Sequence, residues 1–205
     1  MNRKFTEEDH EIDYELKTQE LENVLGEMHN IVGHALIPFD VGGAVDMYYF
    51  NNHIPGTCFA TMELLDPDGN GVLPNEFGTF ELIAFTKYNY VDDTEDENTS
   101  NPFNLIERKI CGIFTSIGFY AKETILRPGD TCEIPNSEGE ENTCLILDFY
   151  KEFLVGMRKH HLLLCMQLFR SEMEFAMKNG SEKLFTKLKK HDYYPYSDLD
   201  RIAVI

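Results

Sequence analysis

The sequence predicts an α+β fold, with mixed or antiparallel sheets flanked by helices, and three observations predict it. Apolar residues recur at helical spacing before about residue 30, at strand-like spacing from about 33, and at helical spacing again from 101. The elements come as helix, strands, helix, strands, helices rather than in strict alternation, with no repeat of fixed period. Hydrophobic residues make up 42% and charged residues 26% of the chain, which places it among globular rather than disordered proteins.

Residues 10–29 read as a helix. Ile12, Leu16, Leu21, Val24, Leu25 and Met28 form its apolar stripe, interrupted by Gln19 and Glu20. Segments 34–41 and 45–50 read as strands on either side of the turn signal Gly42-Gly43, and 57–65 as a third strand. Residues 66–75, DPDGNGVLPN, are a loop rich in turn formers. In 77–88, Phe77, Thr79, Glu81, Ile83 and Phe85 oppose Phe80, Leu82, Ala84 and Thr86. Both sets contain apolar residues, so both faces of that strand are expected to be at least partly covered. Residues 92–100, DDTEDENTS, contain nothing apolar and read as a solvated loop.

A helix over 102–122 follows, with Asn101 as its cap and Pro102 at its first position. Phe103, Ile106, Ile110, Phe114, Ile117 and Ala121 fall three or four apart, and that stripe is expected to pack on the sheet. Residues 124–134 follow, with Arg127-Pro128-Gly129-Asp130 as a turn. An acidic loop at 136–142 precedes a strand at 143–150, and the run LLLCMQLF within 157–169 suits a central strand. Ser171 and Glu174 have the spacing of a capping box, Asn179-Gly180 ends that helix, and Ser181 starts another. In the last helix Leu184, Phe185 and Leu188 are expected inside, with Lys183, Lys187, Lys189 and Lys190 outside. The expected organisation is an N-terminal helical segment, 1–30, and a domain over 31–205, with 31–100 and 101–205 as candidate closely packed lobes.

The formal net charge is −18, and it is uneven: residues 1–150 carry −21 and residues 151–205 carry +3. An acidic body repels nucleic acid and anionic membrane and steers toward cationic partners. No apolar run approaches the ~18 residues of a membrane-spanning helix. The opening MNRKFTEEDHEIDYE has no apolar stretch behind its basic pair, so no secretory signal is expected. Five widely spread cysteines without a CxxC read as buried free thiols in a reducing, cytoplasmic setting.

No catalytic constellation, cofactor motif or metal site is expected. Asp66, Asp68, Asn70 and Gly71 imitate the start of a calcium loop, but the twelfth position, which needs a bidentate acid, is Phe77, with Glu76 one short. His160 and His161 are strand neighbours and face opposite ways, and Cys165 lies ~13 Å along the strand from His161. The apolar surroundings of Cys165 suit a core thiol rather than a nucleophile. No G-x-S-x-G, phosphate-binding Gly-Lys-Ser/Thr loop or HExxH occurs.

The C-terminal stretch 169–204 reads FRSEMEFAMKNGSEKLFTKLKKHDYYPYSDLDRIAV. With VDMYYF (45–50), TFELIAF (79–85) and the apolar strand before Phe169, it resembles the suppressor of fused domain in its bacterial form. The family's E-x-x-[FY] helix, glycine, short leucine-containing helix and Asp/Arg tail match residues 172–175, Gly180, 184–188 and 198–201. Near 57–66 the family often has a small residue, Gly, Met or Leu, Ser, then Asp. Here Glu63-Leu64-Leu65-Asp66 keeps Leu64 and Asp66 and departs at Glu63 and Leu65.

The resemblance covers 30–204 and implies a binding module without known catalysis. The animal relative holds an extended peptide between two lobes, and bacterial members resemble immunity proteins that neutralise polymorphic toxins. The expected function is therefore an immunity-type inhibitor of a basic toxin or other partner protein. The alternatives are a peptide-sequestering or scaffolding regulator and, third, an unrecognised enzyme. Neither nucleic acid nor membrane is an expected partner. The candidate partner-binding residues are Asp66, Asp68, Glu63 and Asp46.

Overall fold

Residues 6–65, 69–90, 101–137, 139 and 141–205 are described by a computed structural model. Its strands are β1 (Met28–Gly33), β2 (Met47–Phe50), β3 (Thr57–Ala60), β4 (Thr79–Thr86), β5 (Thr131–Ile134), β6 (Thr143–Val155) and β7 (Arg158–Leu168). The helices are α1 (Glu7–Leu25), α2 (Pro102–Ala121), α3 (Arg170–Asn179) and α4 (Ser181–Lys190).

The strands form one seven-stranded sheet in the order β1-β2-β3-β4-β7-β6-β5. Every pairing is antiparallel except β4 with β7, which run parallel with Phe80 opposite His161 and Leu82 opposite Leu163. A parallel pair needs a long crossover. Here α2, β5 and β6 lie between β4 and β7 in the chain. The fold is thus α+β with a mixed, open sheet that draws strands from both sides of residue 100.

Alternation sorts the strand side chains onto two faces. Tyr49, Phe59, Phe80, Leu82, Leu145, Leu163 and Cys165 share one face with Phe103, Ile110, Ile113, Phe114 and Ile117 of α2. Tyr48, Phe50, Ile83, Phe85, Ile146, Leu164 and Met166 share the other with Leu21 and Leu25 of α1, Met173 of α3, and Leu184, Phe185 and Leu188 of α4. Both faces being roofed, all eight residues of β4 are buried. Each large apolar side chain so enclosed stabilises the fold by ~1.5–3 kcal/mol. α2 starts as its sequence requires: the Asn101 side chain accepts the Asn104 N–H at 2.7 Å, and Pro102 needs no donor there.

Five expectations are corrected. Residues 34–41 are not a strand. Gly26, at φ +85°, ends α1 early, and the chain enters β1 at Met28, inside the segment read as helix. The Gly42-Gly43 pair makes a close return rather than a hairpin: a Cβ on Gly43 would lie 1.7 Å from the Ile37 carbonyl oxygen. Second, the apolar stripe of α1 fails in its first half. Ile12 and Leu16 are 49% and 38% exposed, whereas Lys17 is buried. Third, the strand read at 57–65 stops at Ala60, because the next residues wrap around a buried carboxylate, Glu81. Fourth, α3 has Phe169 as its N-cap, so Ser171 lies exposed inside the helix. The carboxylate that accepts the N-cap N–H is Glu172, at 3.1 Å, not Glu174. Fifth, β6 runs on to Val155, beyond the expected end, and turns into β7 through Gly156 at φ +60°.

Candidate functional site

The 61–65 segment is shaped from within. Glu81 is the one charged residue in the apolar run TFELIAFT of β4, and one of its oxygens accepts the Thr61 hydroxyl at 2.7 Å and the Leu64 N–H at 3.3 Å. Its other oxygen takes the Lys17 ammonium at 2.8 Å, and Lys17 also donates to the Met62 carbonyl at 2.6 Å. A buried charge demands such partners. The result is that α1 and the 61–65 segment are both fastened to the middle of the sheet.

Between them lies a groove of 540 Å³, with the short 3₁₀ turn Phe39–Val41 as its third wall. Carboxylates line it: Glu11 and Asp13 from α1, Asp40 from the 3₁₀ turn, and Glu63. Asp13 is paired with Arg158 at 2.9 Å and Lys17 with Glu81, so the lining keeps a negative excess. Beside the groove Leu36, Ile37 and Val41 are exposed, Leu36 completely.

Glu63 is accessible on the groove wall. The Tyr48 hydroxyl donates to it at 3.0 Å. Its carboxyl is held above the usual range, chiefly by burial of the carboxylate and further by the charges of Asp46 and Glu81. The Tyr48 hydrogen bond and Lys17 oppose the rise. Burial and the Glu63 charge in turn push the Tyr48 phenol up, so it stays a donor. A carboxylate crowded by like charge gains when a cation approaches.

Of the residues singled out from the sequence, Glu63 and Asp46 come into electrostatic contact. Asp46 stands behind the groove with both oxygens engaged, one by His34 Nδ1 at 2.7 Å and one by the Ala35 N–H at 2.9 Å. It positions the loop that carries Leu36 and Ile37. Asp66 and Asp68 lie outside the described residues. Lys17, Tyr48 and Asp40 were not foreseen. The signal for Lys17 was indirect: a lone acid in an apolar strand requires a cation from somewhere.

A second groove, of 600 Å³, lies between α2 and the sheet edge, lined by Ser116, Tyr120, Cys132, Glu133 and Ile134 among others. Among the described residues β5 pairs only with β6, which leaves its outer edge open there. Burial, with Asp130 adding, pushes the Cys132 thiol up to about 11.

Burial sets three further side chains singled out from the sequence, His160, His161 and Cys165, against ionisation. His161 sits among Phe77, Phe80 and Phe149, and burial lowers it to about 4. His160, on the opposite face, bonds the Thr79 hydroxyl at 2.6 Å and is likewise lowered by burial. Burial raises the Cys165 thiol, which suits a core residue. No group of three or more His, Cys, Asp or Glu that could hold a metal occurs among the described residues. No helix there is long and apolar enough to cross a membrane.

No family model and no curated protein matches the sequence. Solved structures do match. The crystal structure of the Sufu–Fu complex aligns with a TM-score of 0.60 at 16% identity, over 94% of this chain and 90% of that chain. A suppressor of fused homologue from Neisseria gonorrhoeae FA 1090 aligns with a TM-score of 0.60 at 11% identity, over 95% of this chain and 98% of that one. Drosophila Suppressor of Fused aligns with a TM-score of 0.61 at 16% identity, over 95% of this chain and 50% of that one. The chain therefore has the suppressor of fused fold.

Proposed function

We propose that this chain is a non-enzymatic protein-binding module that holds a basic partner protein against its acidic groove, in the manner of an immunity protein that neutralises a toxin. The observation that carries the reading is the groove itself, where Glu63 stands with Glu11 and Asp40 while, among the described residues, Asp13 alone of its lining acids is ion-paired, with Arg158. A lysine or arginine from a partner would relieve that crowding and gain charge-assisted hydrogen bonds. Exposed Leu36, Ile37 and Val41 would supply apolar contact next to the charge, the usual anatomy of a protein interface. The net charge of −18 supports fast, salt-sensitive capture of such a partner and disfavours nucleic acid. Among the matching structures, Sufu is seen in complex with Fu, which fits a fold used for binding proteins. The five cysteines are free thiols, which fits action in the cytoplasm.

One observation favours a second reading, capture of a linear peptide. The open edge of β5 faces a groove, and an extended peptide can add to such an edge as a strand.

The test is calorimetric titration with basic proteins encoded beside this chain's gene, at low and high salt. Binding that weakens with salt and is lost in Glu63→Gln/Asp40→Asn supports the acidic groove. Binding that survives those changes and is lost in Tyr120→Ala moves the partner to the β5 edge. Binding indifferent to salt and to all of these substitutions would sink both readings.

A further inference from the structure

A smaller cavity, of 220 Å³, lies where α2 passes the end of β7. It has room for roughly seven water-sized groups. It shares no lining residue with the acidic groove. Lys109 of α2, Asn136, Glu141 and Asn142 of the β5–β6 connection, Thr143 of β6, Gln167 of β7, and Arg170 contribute its polar lining, so Lys109 and Arg170 face one acid, Glu141, there.

Most of these groups are already committed. Asn136 Nδ2 donates to the Glu141 carbonyl at 2.6 Å, and Asn142 Nδ2 to Glu133 at 2.8 Å. Arg170 is paired with the same Glu133. Two donors are not. Gln167 follows Leu163 and Cys165 at alternate positions of β7, so its side chain lies on the α2 face. It is 1% exposed, and its Nε2 has no hydrogen-bond partner. A buried amide donor left unpaired is unfavourable and rare in native structures. Lys109, exposed on α2 where it lines the cavity, forms no hydrogen bond or ion pair with any described residue. Partial desolvation against the cavity wall lowers its pKa somewhat.

A side-chain amide can present either a donor or an acceptor. The ammonium of Lys109 decides between them, because a ligand that satisfies both groups must bring acceptors, and preferably negative charge. We infer that this cavity is a binding site for a carboxylate, with Gln167 donating from within and Lys109 pairing with its charge. The carboxylate could belong to a small organic acid or to an Asp, Glu or C-terminus of a partner protein. The chemistry is the same, and the cavity size limits either to a short group. This site prefers the opposite charge to the acidic groove, so it stands or falls independently of the proposed function.

The side-chain amide resonances of Gln167, assigned by their loss in Gln167→Met, report on the cavity directly. The full chain is titrated with sodium acetate, with N-acetyl-aspartate N-methylamide as a mimic of a partner's side chain, and with sodium chloride at matched ionic strength. The expected result is a saturable shift with a carboxylate and none with chloride. Lys109→Met, an exposed substitution that should leave the melt unchanged, should weaken that binding by about ten-fold. Tighter binding of the aspartate mimic than of acetate would assign the site to a partner's carboxylate, and the reverse to a free acid. No saturable shift with either probe, an equal shift with chloride, or undiminished binding in Lys109→Met would overturn the inference.

Discussion

Lys17 and Glu81 form an ion pair at 2.8 Å with their side chains only 3% and 0% exposed. The pair joins α1 to the central strand β4, and its remaining hydrogen bonds hold Thr61, Met62 and Leu64. The segment that presents Glu63 is therefore positioned by a polar network beneath it rather than by strand pairing.

That network is expected to be costly to cut from one side. Lys17→Met leaves a buried carboxylate without its cation, and such changes destabilise by about 3–5 kcal/mol. Adding Glu81→Gln should recover part of the loss, since the amide oxygen can still accept from Thr61 and Leu64. Denaturant midpoints of the two variants check this. A single variant as stable as wild type, or a double variant less stable than the single, would show that the charges are not coupled.

The start of α3 gives a paired prediction. Ser171 is exposed inside the helix, so Ser171→Ala should change stability by less than about 0.5 kcal/mol. Glu172, by contrast, is 0% exposed, accepts from Arg201 at 2.6 and 2.8 Å, and also takes the N–H groups of Val204 and Phe169. Glu172→Gln strands the buried Arg201 and should cost about 3–5 kcal/mol, freeing the C-terminal tail. Thermal melts, with amide hydrogen exchange at Val204, measure both effects. Equal costs for the two substitutions would contradict the placement of the cap.

The same two sites show what was legible in the sequence. Period reads well where one physical term dominates. The stripe of α2, with Asn101 and Pro102 before it, fixed that helix to within a residue of its observed end. The LLLCMQLF run likewise announced β7 at the inside of the sheet. Period misleads where long-range pairing overrides it. Lys17 sits where a stripe would want an apolar residue, because its partner is 64 residues away. Ser171 and Glu174 satisfy a local spacing rule, yet Glu172 caps the helix because Arg201 and Val204 approach it from the tail. Glu63 and Asp46 could be named as acids near a loop. The groove between Glu63 and α1 could not, since it exists only once α1 is docked.

Acid should unfold this protein partly through its buried histidines. The pKa of His161 falls from 6.5 to about 4 on folding, because burial opposes the charged ring. The folded state thus binds fewer protons than the unfolded chain across that window. The stability contributed is complete above about 6.5 and is lost as pH falls toward 4, by up to about 3 kcal/mol. His161→Phe, which keeps an aromatic ring among Phe77, Phe80 and Phe149, should flatten this part of the pH profile. Urea midpoints for wild type and variant near neutrality and near pH 4 test it. Parallel profiles would mean that His161 is protonated in the fold.

Glu63 should show the opposite linkage and a conflict between stability and binding. Its folded pKa is raised, so the folded state holds the proton more tightly than the unfolded chain. Any contribution to stability is present below the unfolded pKa and is lost as pH rises through the folded one. At neutral pH the ionised carboxylate is thus a burden on the fold, although its accessibility and the solvent around it keep that burden small. Glu63→Gln removes the burden and keeps an acceptor for the Tyr48 hydroxyl, so the melting temperature should stay level or rise. Affinity for a basic partner should fall. The loss would be ~2–5 kcal/mol if the contact is desolvated in the complex, and mainly a slower association rate if it lies on the rim. Residues retained for function commonly show this pattern of stability gained as activity is lost. Melting curves of wild type and Glu63→Gln, run beside binding titrations at two salt concentrations, separate the cases. A variant that melts lower and binds as well as wild type would make Glu63 a structural residue and would remove the groove's claim to a partner.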